Sequence, residues 1–324
     1  MMEKKELFYQ DKKTCRMPLT HIMEGVSDIK FREIDELFGA ADVLSIQNAR
    51  KHSRILMALS AAGTLLTLFF LLYDEAEAHG LIIACGIMIL CLFGIQRIAD
   101  RQDCHRKYLE YRVLAECLRC QFYLSYAGLK TRVIEILPWS VRMGIGWITE
   151  ILKETGSEPD PGNAVSDNAD TKQPILDCWV RDQKNYHRTA LEKAEIQNHR
   201  DNRIAKGVLI ITIASYIAAL LYELFLYRDI SVTENTELVR TVLKILLGTM
   251  SAITLFTGSY YGKMSLSNEI DDHRRMIALY ETAEEEILKN GESEKLILVL
   301  AREFLNENST WYSYQNKNSP DIVI

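Results

Sequence analysis

The sequence predicts an all-α membrane protein with four transmembrane helices, arranged as two parallel hairpins with long cytoplasmic helical extensions. Three observations lead there. The apolar residues, 48% of 324, gather in four blocks and leave the intervening segments strongly charged. Each block has about 20 residues, enough for a helix to cross roughly 30 Å of hydrocarbon. The Lys and Arg residues also fall unevenly between the segments that join the blocks.

Residues 1–25 read as a polar N-terminal tail. Nothing in the first 54 residues resembles the apolar core of a secretory signal. A helix–span–span–helix module occupies residues 26–153. Its first span, Ile55–Tyr73, contains no charge, and its hydroxyls Ser60, Thr64 and Thr67 can bond to the carbonyls of their own helix. The second span, Leu81–Ala99, carries one charge, Arg97, placed near its end where it can snorkel. The segment after it puts Tyr108, Tyr111, Ala115, Leu118 and Phe122 at three-and-four spacing, the seam of a cytoplasmic helical bundle. Trp139, Met143, Trp147 and Ile151 follow Pro138 at four-residue intervals, a pattern for either an interfacial helix or packing on that bundle.

Residues 154–176, rich in Pro, Asp, Ser and Asn, read as a disordered linker. The second module, 177–312, repeats the first in pattern though not in residue identity. Its spans are Gly207–Tyr227, with Glu223, and Val242–Gly262, with Lys244. Both charges lie toward the outer ends, which makes Glu223 and Lys244 a candidate intramembrane ion pair. Thr249, Thr254 and Thr257, with Ser60, Thr64 and Thr67 of span one, are candidate pore-lining or helix-packing residues. In the helix after span four, Ile270, Ile277, Tyr280, Ala283 and Ile287 form a second apolar face. Residues 313–324 read as a C-terminal tail.

Orientation follows from the basic residues. Ten Lys/Arg precede span one, eighteen lie from Arg97 through Lys206, and seven from Lys263 to the end. The link Asp74–Gly80 has none, and Arg228–Thr241 has two. Both termini and the middle segment are therefore expected in the cytoplasm, with the protein in the cell membrane as a multi-pass chain.

The net charge of −6, from 38 Lys+Arg against 44 Asp+Glu, lacks the basic signature of nucleic-acid binding, so no nucleic-acid partner is expected. Seven cysteines without regular spacing point to reduced thiols. Cys117-x-x-Cys120 has no second pair to complete a zinc site, and no phosphate-loop, dinucleotide, nucleophile-elbow or zinc-protease motif occurs. No catalytic residue, metal or cofactor is expected, and the chain is not read as an enzyme.

Two stretches carry a family resemblance. One is Phe31-Arg-Glu-Ile-Asp-Glu-Leu-Phe38-Gly-Ala-Ala41-Asp42-Val-Leu-Ser45, leading into span one. The other is Tyr108-Leu-Glu-Tyr111-Arg112-Val-Leu-Ala115-Glu116-Cys-Leu118-Arg119-Cys-Gln121-Phe-Tyr123, leaving span two. With Trp179-Val-Arg-Asp-Gln183-Lys-Asn-Tyr186-His187 and the tail Ala301–Trp311, they resemble the SLATT superfamily, the SMODS- and SLOG-associating two-transmembrane effector domains. Here two such hairpins stand in tandem. The resemblance implies a pore-forming membrane effector in a bacterial nucleotide-signalled conflict or antiviral defence system. It also implies a homo-oligomer in the lipid bilayer. The 54 residues before span one are too short for a fused SLOG domain, so the trigger is expected from a separate nucleotide-sensing or nucleotide-producing protein. The alternatives are a non-conducting membrane scaffold holding a cytoplasmic partner, and a small housekeeping ion channel or transporter.

Overall fold

The computed structural model describes residues 2–23, 29–75, 80–155, 172–228, 234–264, 266–290 and 294–317. Every regular element among them is helical. In chain order these are α1 (Met2–Thr14), α2 (Ile29–Glu75), α3 (Leu81–Gln102), α4 (Cys104–Tyr126), α5 (Val133–Ile136), α6 (Trp139–Gly144) and α7 (Gly146–Thr155). After residues 156–171, which lie outside the described residues along with most of the expected linker, comes α8 (Lys172–Pro174). A π-helical turn (Ile175–Arg181) then runs directly into α9 (Asp182–Arg228). The chain ends with α10 (Glu234–Met264), α11 (Leu266–Asn290) and α12 (Glu294–Lys317).

Four of these helices are long and apolar enough to cross a membrane, so the all-α membrane class holds. The helix over Ile175–Leu224 has 50 residues, about 75 Å of rise, so only its apolar portion fits within ~30 Å of hydrocarbon.

The compact units do not follow the two sequential modules. One unit comprises Met1–Lys51, Cys104–Leu191 and Asp271–Ile324; the other comprises His52–Asp103 and Glu192–Ile270. Each draws on both halves of the chain. The physical reason is burial by kind. Apolar spans pack on spans, and amphipathic segments pack on one another.

In the first unit α4 is the central helix. Leu109, Val113, Leu114, Cys117, Leu118, Phe122 and Leu124 are all fully buried, which leaves it no solvent face along most of its length. Helix α1 docks there through Phe8, whose ring meets Tyr111 edge-on at 5.4 Å and lies 5.9 Å from Trp147. The expected N-terminal tail is thus a packed helix anchored by one buried aromatic. The expected C-terminal tail is also partly helical, since α12 extends to Lys317; residues 318–324 lie outside the described residues.

Several polar groups within this core have partners, although Trp179 Nε1 and Tyr280 OH are buried without one among the described residues. Glu110 accepts hydrogen bonds from Trp147 Nε1 at 2.8 Å and Lys4 Nζ at 3.1 Å. Gln121 Oε1 accepts from the Val133 amide at 2.9 Å. The Tyr123 ring stacks on Trp179 at 4.8 Å while its hydroxyl donates to the Cys178 carbonyl at 2.7 Å. Satisfying such groups in this way offsets the cost of burying them.

In the second unit the first and fourth spans pack antiparallel in one constant register. A Cβ on Gly63 would fall 2.4 Å from the Phe256 ring, and one on Gly248 would fall 2.5 Å from a Leu71 methyl. Four residues further out, Lys244 Nζ lies 2.8 Å from Glu75 Oε2. Glycine permits the close approach at both crossing points, as it does in other helix pairs within membranes.

Candidate functional site: the span bundle and the polar core

The span hydroxyls are placed by helix periodicity. Ser60, Thr64 and Thr67 share one side of α2 with Leu71 and Glu75, the side that meets span four. Thr64 Oγ1 donates to the Ser60 carbonyl at 3.2 Å and Thr67 Oγ1 to the Gly63 carbonyl at 3.1 Å. On span four, Thr254 donates to the Met250 carbonyl at 2.9 Å and meets Thr212 Oγ1 of span three at 2.9 Å. Thr257 is half-buried. Thr249 is half-buried too, and its hydroxyl oxygen is enclosed without a hydrogen-bond partner. The six residues therefore do not form one row. Those of span one lie along the contact with span four, while Thr254 lies along the contact with span three.

The polar partners in span three were not singled out in the sequence. Thr212 and Ser215 are both buried, and each bonds to the carbonyl four residues earlier, at 2.9 and 2.8 Å. Tyr216 OH lies 3.2 Å from Ser251 Oγ. The signal available was the recurrence of small polar residues at three- and four-residue intervals in both spans.

Glu223 and Lys244 do not pair with each other. Arg240 takes Glu223 with both arms of its guanidinium, Nε to Oε1 at 2.6 Å and Nη2 to Oε2 at 2.7 Å. Lys244 goes to Glu75 instead. Two physical reasons account for the exchange. The planar guanidinium matches a carboxylate bidentately, which an ammonium cannot do. Lys244 also stands on the side of α10 that carries Gly248 and Phe256, so its amine points to span one. Arg240 precedes Lys244 by one helical turn, and that spacing was the missed clue.

In the first unit, the seam residues Tyr111, Ala115, Leu118 and Phe122 are buried, and Tyr108 meets Trp311 edge-on at 5.6 Å. The seam is one strip of a helix enclosed on all sides. In α11 the buried face runs through Met276, Tyr280, Ala283 and Ile287, with Ile277 only half-buried. Trp147 and Ile151 are core residues, whereas Trp139 is 74% and Met143 76% exposed. The expected four-residue stripe is therefore split by the junction between α6 and α7. Cys117 and Cys120 are fully buried in α4, and burial pushes both thiols well up from their ordinary value.

A polar cluster joins α4, α9 and α11. Arg119 lies over the Phe38 ring and donates to Glu116 at 2.9 Å and Gln183 at 2.7 Å. His187 Nδ1 and His273 Nδ1 are 3.0 Å apart, one imidazole donating to the other. Burial, the second imidazole and the nearby Arg112 and Arg119 lower His187 to about 3. Burial and Arg112 lower His273 as well. Alongside, Glu284 receives Lys184 and Arg181, whose hydrogen bonds hold its carboxyl below its ordinary value. The cluster is built to hold neutral imidazoles against fixed guanidinium charge. It contains no nucleophile set beside a base.

No family model, curated protein or solved structure matches this chain.

Proposed function

We propose that this protein is a membrane effector that forms or gates a pore as a homo-oligomer. We assign it to the cell membrane with both termini cytoplasmic, and to the SLATT superfamily on the residues quoted above. The antiviral role and the separate nucleotide-sensing partner belong to the same proposal. One observation carries the reading. Helices α2 and α9 each supply core residues to the first unit and, without a break, a span to the second. A helix shared in this way couples any rearrangement of the polar core to its span.

Within one chain, the hydroxyls of Thr64, Thr67, Thr212, Ser215 and Thr254 bond to their own backbones or to one another. A conducting path is therefore assigned to the interface between copies.

The test is membrane potential during induced expression, paired with ion flux in liposomes containing the purified chain. The expected result is depolarisation in cells and flux that rises more steeply than linearly with protein density. Unchanged potential and no flux from a correctly inserted protein, with and without a candidate nucleotide trigger, would overturn the pore and favour a membrane scaffold. Selective flux without harm to cells would favour a housekeeping channel.

A further inference from the structure

We propose that one end of the span bundle is a binding collar for anionic phospholipid headgroups. The claim rests on the spans lying in a membrane, and it holds whether or not they conduct.

The two ends of the bundle treat their charges differently. At the end of the Asp74–Gly80 link, the described cations are neutralised inside the protein, Arg240 by Glu223 and Lys244 by Glu75. At the opposite end, Arg54, Arg97, Arg101, Arg203 and Lys206 are all exposed, and none of them makes an ion pair among the described residues. The nearby carboxylates are already engaged. Asp100 accepts from Gln96 at 3.0 Å, and buried Asp201 lies 3.3 Å from Arg200.

Depth along the helices supplies the second argument. Arg54 precedes Glu75 in α2 by 21 residues, Arg101 follows Leu81 in α3 by 20, and Arg203 precedes Glu223 in α9 by 20. At 1.5 Å per residue each interval is about 30 Å, the thickness of the hydrocarbon layer. Three helices thus place an arginine one bilayer thickness from the outer marker of the same helix. Arg97 and Lys206 lie about one turn further in, within snorkelling reach of the same level. Exposed Ile98 and Ile204 stand beside these cations. A ligand that fits must offer a phosphate to the guanidinium groups and an alkyl chain to the isoleucines. A phospholipid of net negative charge meets both demands, whereas inorganic phosphate meets only the first. A zwitterionic lipid brings an ammonium into the same collar.

Native mass spectrometry of the full chain in detergent, titrated with phosphatidylglycerol and phosphatidylcholine of identical acyl chains, tests this. The expected result is about tenfold more phosphatidylglycerol retained, weakened by added salt and not displaced by millimolar inorganic phosphate. The triple variant Arg54→Gln, Arg101→Gln, Arg203→Gln should bring the two lipids to parity. The triple Arg→Lys variant, which keeps the charge, should retain the preference, as should Arg240→Gln at the other end. Equal retention by the unaltered chain would overturn the collar whatever the variants do. A preference that survives the triple Gln variant would also overturn it, and displacement by inorganic phosphate would overturn the lipid as its ligand.

Discussion

Single side chains set how tightly the first unit closes. Gly39 lies on α2 against the segment that follows α1, and a Cβ there would fall 2.3 Å from the Thr20 carbonyl oxygen. That oxygen is backbone, and the segment is pinned: Thr20 Oγ1 donates to Asp42 at 2.9 Å and the Ile22 amide to Asp35 at 2.6 Å. Gly39→Ala is therefore expected to destabilise the unit by about 1–3 kcal/mol, the usual cost of overpacking. Gly144→Ala, where a Cβ meets nothing within 4 Å, should be close to neutral. Denaturant unfolding of the two variants side by side checks the difference. The imidazole pair makes a second prediction at this scale. His187 titrates at about 3 when folded against 6.5 as its ordinary value, so between those limits the unfolded chain binds more protons. Stability from this group is complete above pH 6.5 and is lost as pH falls toward 3, with a limiting slope of about 1.4 kcal/mol per pH unit. The groups facing it are His273 and Tyr280 from α11, Arg112 and Arg119 from α4, and Tyr186 from its own helix; none is a carboxylate that would oppose the loss. Unfolding curves for the parent chain and His187→Gln, at neutral pH and near pH 5, should diverge in slope. A parent chain as stable near pH 5 as at neutrality would contradict the prediction.

Among the elements, the spans were legible in the sequence, and hydrocarbon explains why. A backbone in lipid must satisfy itself, and its side chains must be apolar on every side, so the demand is written in an unbroken run of residues. The all-round burial of α4 was not legible. Its sequence contains Glu110, Glu116, Arg119 and Gln121, polar residues that nothing in the local pattern marks as buried. What makes them core residues are partners far along the chain: Trp147 for Glu110, Gln183 for Arg119 and the Val133 amide for Gln121. Helix α1 was hidden for a related reason, since its short polar sequence offers one fully buried aromatic, Phe8, and its other ties, Lys4 to Glu110 and Asp11 to Lys107 and Tyr111, reach partners about 100 residues away. The end of α3 is set by Asp103, whose φ of 48° is left-handed and whose amide bonds back to the Ala99 carbonyl at 3.0 Å. Aspartate and asparagine accept that conformation, but a β-branched residue does not. Asp103→Asn should leave stability within a few tenths of a kcal/mol, whereas Asp103→Val should cost about 1–2 kcal/mol. Thermal unfolding in detergent, followed by loss of helical signal, distinguishes them.

For the whole molecule, the decisive fact is that the chain passes between its two units four times, after Lys51, Asp103, Leu191 and Ile270. Three of these passages lie within continuous helices, α2, α9 and α11. The repeat seen in the sequence is therefore a repeat of wiring, with each hairpin delivered to one unit and its flanking helices to the other. This wiring constrains topology. Under the proposed orientation the two hairpin links face outward, with both termini and the middle segment inside. A membrane-impermeant thiol reagent applied to intact cells should then label Gly80→Cys, at the first hairpin link, in one single-cysteine chain, with Cys178 kept as the sole cysteine of a second. It should leave Cys178, half-buried in the π-helical turn before α9, unmodified until the membrane is opened. Labelling of Cys178 in sealed cells would reverse the orientation, and equal labelling of both sites would refute the paired hairpins themselves.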